Sequence, residues 1–211
     1  MPRGPRVLIP GIPLHLIQRG NNKSACFFYE QDYLFYLELL AEQASKSYCD
    51  IHAWCLMNNH VHLLVSSHNA HSARLLMKGV GQRYTQYINR TYSRSGSLWE
   101  GRYRSCLVES ERYLLCCYRY IEMNPVRAKM VNHPAEYRWS SYRVNAQSER
   151  SQIITPHAQY LALGGQDGRA ANAYRELFKN DLESELVDRF VTRPMEIIFL
   201  AFRSLLLMSR Q

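Results

Sequence analysis

From Ile51 to Trp99 the chain has no aspartate or glutamate, while Arg74, Lys78, Arg83, Arg90 and Arg94 fall in the same stretch. The missing carboxylates leave a local excess of positive charge. That is the footprint of a face that binds a polyanion, although a solvated basic surface has the same composition. None of the six cysteines (Cys26, Cys49, Cys55, Cys106, Cys116, Cys117) forms a CxxC pair, and the start, MPRGPRVLIPGIPLHLIQRG, lacks a secretory apolar stretch. The expectation is reduced thiols in a cytoplasmic protein. The apolar run from Met195 to Met208 is broken by Arg203 and is shorter than the ~20 residues of a membrane span. No internal repeat is visible.

What is present is a folded chain. Its 211 residues are 46% hydrophobic and only 21% charged, outside the range of disordered sequences. Residues 1 to 145 carry 18 Lys/Arg against 10 Asp/Glu, and residues 146 to 211 carry 8 of each, so the whole net charge of +8 belongs to the first two thirds.

Apolar periodicity sets out the elements. Leu14 to Arg19 alternates as a strand and ends in GNNK turn chemistry. Tyr33, Tyr36, Leu37, Leu40 and Ala44 follow a helical period over 31 to 47. Cys49 to Met57 and His60 to Ser66 read as an antiparallel hairpin turned at Asn58-Asn59. A helix is expected over Ser72 to Tyr92, weakened near Gly79 and Gly81. A strand over Leu98 to Val108 and a helix over Glu111 to Met123 complete the order β-α-β-β-α-β-α. This predicts an α+β fold: a ferredoxin-like split βαβ antiparallel sheet with helices on one face, plus a mostly helical C-terminal extension. The looser NAQSERSQ stretch places a boundary near 146, giving a domain over 1 to 145 and an extension over 146 to 211.

Three patterns carry chemistry. His60-Val61-His62 lies in an apolar strand, where residues i and i+2 project from one face about 6.5 to 7 Å apart, near enough for two imidazoles to hold one cation. The same pattern suits solvent-facing residues of a half-buried strand. Tyr120 and Asn124 stand at i, i+4, which stacks a phenol and an amide on one helical face. Asn124-Pro125 also reads as an N-cap followed by Pro at the first helical position. Arg83, Tyr84, Tyr87, Arg90, Tyr92 and Arg94, then Trp99, Arg102, Tyr103 and Arg104, interleave bases and rings. Arginines neutralise phosphates and exposed rings stack unpaired bases, although Tyr84 and Tyr87 also suit the core.

The stretches IPGIPLHLIQRGNN (9–22), MNNHVHLLV (57–65), GQRYTQYINRTYSRSGSLWEGRYRS (81–105), CYRYIEMNPVRAKMV (117–131) and YRWSSY (137–142), in that order, resemble the REP-associated tyrosine transposases. These are relatives of the single-tyrosine HUH transposases, and the likeness spans roughly residues 5 to 145. The resemblance implies that His60 and His62 are the HUH pair binding a divalent cation, Mg²⁺ or Mn²⁺. Tyr120 is then the nucleophile of the YxxxN/Q pattern and Asn124 the third ligand. It implies cutting and rejoining of single-stranded DNA hairpins through a 5′-phosphotyrosine link, without a nucleotide cofactor or a membrane, by a monomer or homodimer. Charge and position nominate Arg3, Arg6, Arg19, Arg83, Arg90, Arg102 and Arg104 as DNA contacts.

Two other readings use the same residues: a replication initiator or relaxase of the HUH type, and a non-catalytic module that binds single strands. A structural zinc site from Cys49, His52, Cys55, His60 and His62 is disfavoured, because strand alternation sets His52 on the face opposite Cys49 and Cys55. From Asp188 onward the chain departs from the polar, glycine-containing ending expected by resemblance.

Overall fold

The computed structural model describes residues 9–108, 111–165 and 169–180. Arg3, Arg6 and the segment from Asp188 onward lie outside the described residues. Four strands form one antiparallel sheet in the order β2-β3-β1-β4: β1 (Leu14–Arg19), β2 (Cys49–Met57), β3 (His60–Ser67) and β4 (Arg104–Leu107). Between them run α1 (Glu30–Ser47) and α2 (Ser72–Thr91). After β4 come α3 (Glu111–Glu122), the single turn α4 (Asn124–Arg127), α5 (Tyr142–Gln147), α6 (Ala158–Ala162) and α7 (Ala170–Glu176). The split βαβ order read from the sequence is present, with the last strand shortened to four residues and Trp99 reduced to a single bridge with Gly20.

Helices do not stay on one face. α1 and α2 cover the side carrying Leu14, Leu16, Trp54, Leu56, Val61 and Leu63. α3 and the C-terminal helices cover the side carrying Ala53, Cys55, Met57 and Leu64. The physical reason lies in β2 and β3, whose residues are buried at nearly every position rather than at alternate ones. Strands that are apolar on both faces need cover on both. Tyr160 and Tyr174, beyond residue 146, pack into the second core beside Tyr118.

A β-bulge between Ile51 and Ala53 shifts the register of β2 against β3, which reverses the alternation on which the zinc reading was judged. Cys49 faces the first core and Cys55 the second, so those two also diverge. His52, at the bulge, is held by the Thr155 carbonyl at 2.7 Å and the Ser66 hydroxyl at 2.8 Å.

The hairpin turn at Asn58-Asn59 forms without a positive φ at either residue. The asparagines serve bonding instead of left-handed backbone. The Asn58 carbonyl accepts from the Cys26 and Phe27 amides, and the Asn59 carbonyl accepts from the Gly20 amide at 2.8 Å. These bonds tie the hairpin turn to the turn that follows β1.

Glycines Gly79 and Gly81 sit inside an unbroken α2. A Cβ at Gly79 would meet the Gln43 side chain of α1 at 2.1 Å, and one at Gly20 would meet the Ser24 carbonyl oxygen at 2.2 Å. The two contacts differ in what must yield, since a side-chain tip can rotate and a backbone carbonyl cannot. Gly20→Ala is therefore expected to lower stability in urea unfolding by roughly 2 kcal/mol or more. Gly79→Ala should be close to neutral, because the better helix propensity of alanine, about 0.5–1 kcal/mol, offsets the displacement of Gln43.

Candidate active site

The register of the sheet assembles the site. In antiparallel strands, directly paired residues share a face. Arg19 pairs with His60, Ile17 with His62, Met57 with His60 and Cys55 with His62. On the far side of β1, His15 pairs with Cys106 and Ile17 with Arg104. One face therefore carries His15, Arg19, His60, His62 and Arg104, and it is the face that α3 crosses.

On that face the rings of His60 and His62 stand 4.9 Å apart, centre to centre. His62 is buried, its Nδ1 2.9 Å from Nε2 of His15 with the two rings stacked at 5.1 Å. Nδ1 of His60 is 2.6 Å from Oδ1 of Asn59. Burial holds all three imidazoles in the neutral form: it lowers His15 to about 3 and His60 to about 4 and pushes His62 well down. The Arg19 charge adds to the effect at His60 and His62. Neutral rings keep a lone pair for a cation.

α3 brings Tyr120 onto this cluster. Its ring lies 5.9 Å from that of His62 and 5.7 Å from that of His15, edge to face in both cases. The phenol is 4% exposed. Burial raises its pKa, and hydrogen bonding with Arg127 and the charges of Arg127 and Arg19 oppose that rise. The Arg127 guanidinium sits 4.8 Å from the centre of the Tyr120 ring, a cation–π geometry. α4 makes this possible by turning the chain once after α3, so that the residue seven positions on returns over the ring.

Asn124 does not cap α4 with its side chain. Its amide nitrogen turns back to the Tyr120 carbonyl at 2.8 Å and the Ile121 carbonyl at 3.3 Å, closing orphan acceptors at the end of α3. That fixes the amide and leaves Oδ1 as its available oxygen. Neutral imidazole nitrogens and an amide oxygen are donor types that a divalent cation accepts alongside further oxygen ligands. Among the described residues, no group of three or more His, Cys, Asp or Glu side chains is gathered to hold a metal.

The other nominated residues are dispersed. Arg19 and Arg104 are exposed on the histidine face, and Arg102 is exposed just before β4. Arg83 and Arg90 stand on α2, which covers the opposite face, and Arg83 pairs there with Glu42 of α1. The rings of the basic stretch are not free platforms. Tyr84, Trp99 and Tyr103 are buried in the first core, and Tyr87 and Tyr92 donate to Asp32 at 3.0 and 2.9 Å, because α2 packs that side on α1.

His15 and Arg127 were not found by inspecting motifs. His15 stands in an apolar strand two residues before Ile17, and the contact that reveals it crosses strands. Arg127 is seven residues from Tyr120, a two-turn helical spacing available in NPVR. Glu122 was also missed. It is fully buried and accepts hydrogen bonds from Ser141 at 2.6 Å, Asn145 at 2.7 Å and Tyr174 at 2.8 Å. It thereby fastens α3 to α5 and α7.

Among the described residues no helix is long and apolar enough to cross a membrane. Residues 9–124 match the family model described as "Transposase IS200 like", a span that ends on Asn124. Among solved structures, the chain is similar to that of a REP-associated tyrosine transposase bound to a REP hairpin. Identity is 15% and the TM-score 0.57, over 74% of this chain and 93% of that one. A transposase structure from Deinococcus radiodurans R1 is 18% identical with a TM-score of 0.40, over 62% and 92%. The first is a likeness of fold, and the second scores too low to add to it. A search of curated proteins finds no match.

The buried titratable groups set the pH dependence of stability. His15, His52 and His60 have folded pKa values of about 3 to 4, below their ordinary 6.5. Their stabilisation is present above 6.5 and is lost as pH falls through the folded values. Glu122 acts in the other sense. Burial raises it from 4.5 to about 7, so its stabilisation is present below 4.5 and is lost as pH rises through 7, a difference of roughly 3 kcal/mol. Thermal unfolding should show a steep loss of Tm from pH 6.5 to 4. Glu122→Gln should raise Tm relative to wild type at pH 8 and much less at pH 5.

Proposed function

The chain belongs to the IS200-like transposase family, and on that premise we propose that it is a REP-associated type of transposase that cuts and rejoins single-stranded DNA folded as hairpins. Tyr120 is the nucleophile, and His60, His62 and Asn124 hold a divalent cation, Mg²⁺ or Mn²⁺. The observation that carries this reading is the placement of the Tyr120 ring 5.9 Å from His62. Two residues 58 positions apart in sequence meet on a buried face beside a second histidine. The structural neighbour is bound to a REP hairpin, which supports the same substrate class here.

The chemistry uses the groups in place. A divalent cation held by His60, His62 and Asn124 would polarise the scissile phosphate and offset charge developing on its oxygens. The Tyr120 oxygen attacks phosphorus, the phosphorus–O3′ bond breaks, the phenol proton is lost and the departing 3′ oxygen gains a proton. The products are a 5′-phosphotyrosine and a free 3′-OH. A second 3′-OH attacking the same phosphorus reverses the step, so the covalent link conserves the phosphodiester and no nucleotide is consumed. Arg127 lowers the cost of forming the phenolate by its charge and its hydrogen bond, against the burial that raises it. Arg19 and Arg104 flank the face and take adjoining phosphates.

Incubating the protein with labelled single-stranded hairpin DNA and Mn²⁺ should give a protein–DNA adduct stable to denaturation. Tyr120→Phe should abolish it, chelation should prevent it, and Arg127→Ala should slow it about 10-fold or more while shifting its pH dependence upward. An adduct that persists in Tyr120→Phe, or none in wild type with any divalent metal, refutes the mechanism. Retained hairpin binding without an adduct in wild type would instead identify a binding module. Arg19→Ala should also reduce the salt slope of hairpin binding by about 1, while Arg83→Ala, on the opposite face, should leave it unchanged.

A further inference from the structure

Both histidines of the candidate site have Nδ1 held by another side chain, His15 or Asn59, and neither partner belongs to the His60-Val61-His62 pair itself. At His60 the bonding fixes the proton. Asn59 donates its amide nitrogen to the Lys23 carbonyl at 3.0 Å, which commits Oδ1 to the His60 side. An amide oxygen only accepts, so at 2.6 Å Nδ1 of His60 must carry the hydrogen. Nε2 is then the nitrogen with a free lone pair.

At His62 the partner is His15, with Nε2 2.9 Å from Nδ1 of His62. The two residues are diagonal neighbours across β1 and β3, since His15 pairs with Leu64 and Ile17 with His62. Diagonal positions reach each other through long or ring side chains. Both are nearly inaccessible to water, at 1% and 3%, so solvent does not compete for this bond. For His62 to offer Nε2, its Nδ1 donates and His15 accepts.

We infer that His15 and Asn59 are positioning residues that hold His62 and His60 as Nδ1–H tautomers, presenting both Nε2 atoms to the cation. The inference rests on the metal-binding reading above. Partners of this kind fix ring orientation and tautomer, and their loss ordinarily costs about 10- to 100-fold in metal affinity. It also gives the turns a role. The turn after β1 holds Asn22 and Lys23 at φ of 52° and 57°, which presents the Lys23 carbonyl to Asn59. Gly20 donates its amide to the Asn59 carbonyl. RGNNK and NNH are thus wired into one support for His60.

Long-range ¹H–¹⁵N NMR on the metal-free full chain with ring-labelled histidine reads the tautomers directly, assigned with His60→Ala and His62→Ala. The expected result is Nδ1–H at both rings. Mn²⁺ affinity, read from the paramagnetic resonance of the free ion, should fall about 10-fold or more in Asn59→Ala and in His15→Leu. Asn59→Asp and His15→Gln, which restore an acceptor, should recover most of it. Asn59→Ala keeps both backbone carbonyl contacts of the turn, so its fold is expected to survive even where that of His15→Leu does not. A proton on Nε2 of either ring in wild type, or unchanged Mn²⁺ affinity in Asn59→Ala, overturns the inference. If wild type shows no Mn²⁺ binding that His60→Ala abolishes, the metal reading fails instead, and the spectra alone uphold or overturn the assignment of the rings.

Discussion

The burial of the histidine face beneath α3 is the constraint on which the rest of the structure depends. A sheet face carrying His15, His62 and Cys55 has no water to satisfy it, and imidazoles placed there persist only neutral and hydrogen-bonded. Laying α3 across this face supplies apolar cover through Leu114, Cys117 and Ile121 and sets Tyr120 against His62 and His15. The same act that closes the core forms the candidate site. It also explains why the phenol is so little exposed.

Holding a short helix in that position needs anchorage beyond apolar area. Glu122 provides it from the side of α3 turned to the C-terminal helices, accepting from Ser141, Asn145 and Tyr174. A buried carboxyl satisfied by three donors specifies one arrangement of α3, α5 and α7, because any slip strands several polar groups at once. The tyrosine pair Tyr118 and Tyr174 packs around this hub. The C-terminal helices are therefore part of the means by which Tyr120 is placed, although they carry no residue of the site.

The hairpin end of the sheet shows the same economy. The end of β1 carries Arg19 into the site's charge environment, and the turn that follows, through Gly20 and Lys23, grips the Asn58-Asn59 turn. That turn closes β2 and β3 and fixes Asn59 beside His60. Tyr33 of α1 adds a hydroxyl bond to Asn58 at 3.1 Å, linking the turn to the first core. The position of His60 is thus set by two loops and a helix, and its partner His62 by a strand.

The sequence by itself determined the local elements and the chemical types. Alternation gave β1, apolar runs on either side of Asn58-Asn59 gave β2 and β3 nearly residue for residue, and helical period placed α1 and α2, since such patterns follow from backbone geometry. His60 and His62 were legible as a pair because residues on one strand share a face at fixed spacing, whereas Tyr120 and Asn124, four residues apart, fall on α3 and α4. Tertiary structure decided what lies between elements. The bulge at His52 separated Cys49 from Cys55, and cover on both faces buried Tyr84, Trp99 and Tyr103, which the basic stretch had offered as stacking rings. Strand register brought His15 to His62, and the turn into α4 returned Arg127 over Tyr120. Such contacts depend on which strands pair and how helices dock, and no one-dimensional spacing encodes a distance across a sheet.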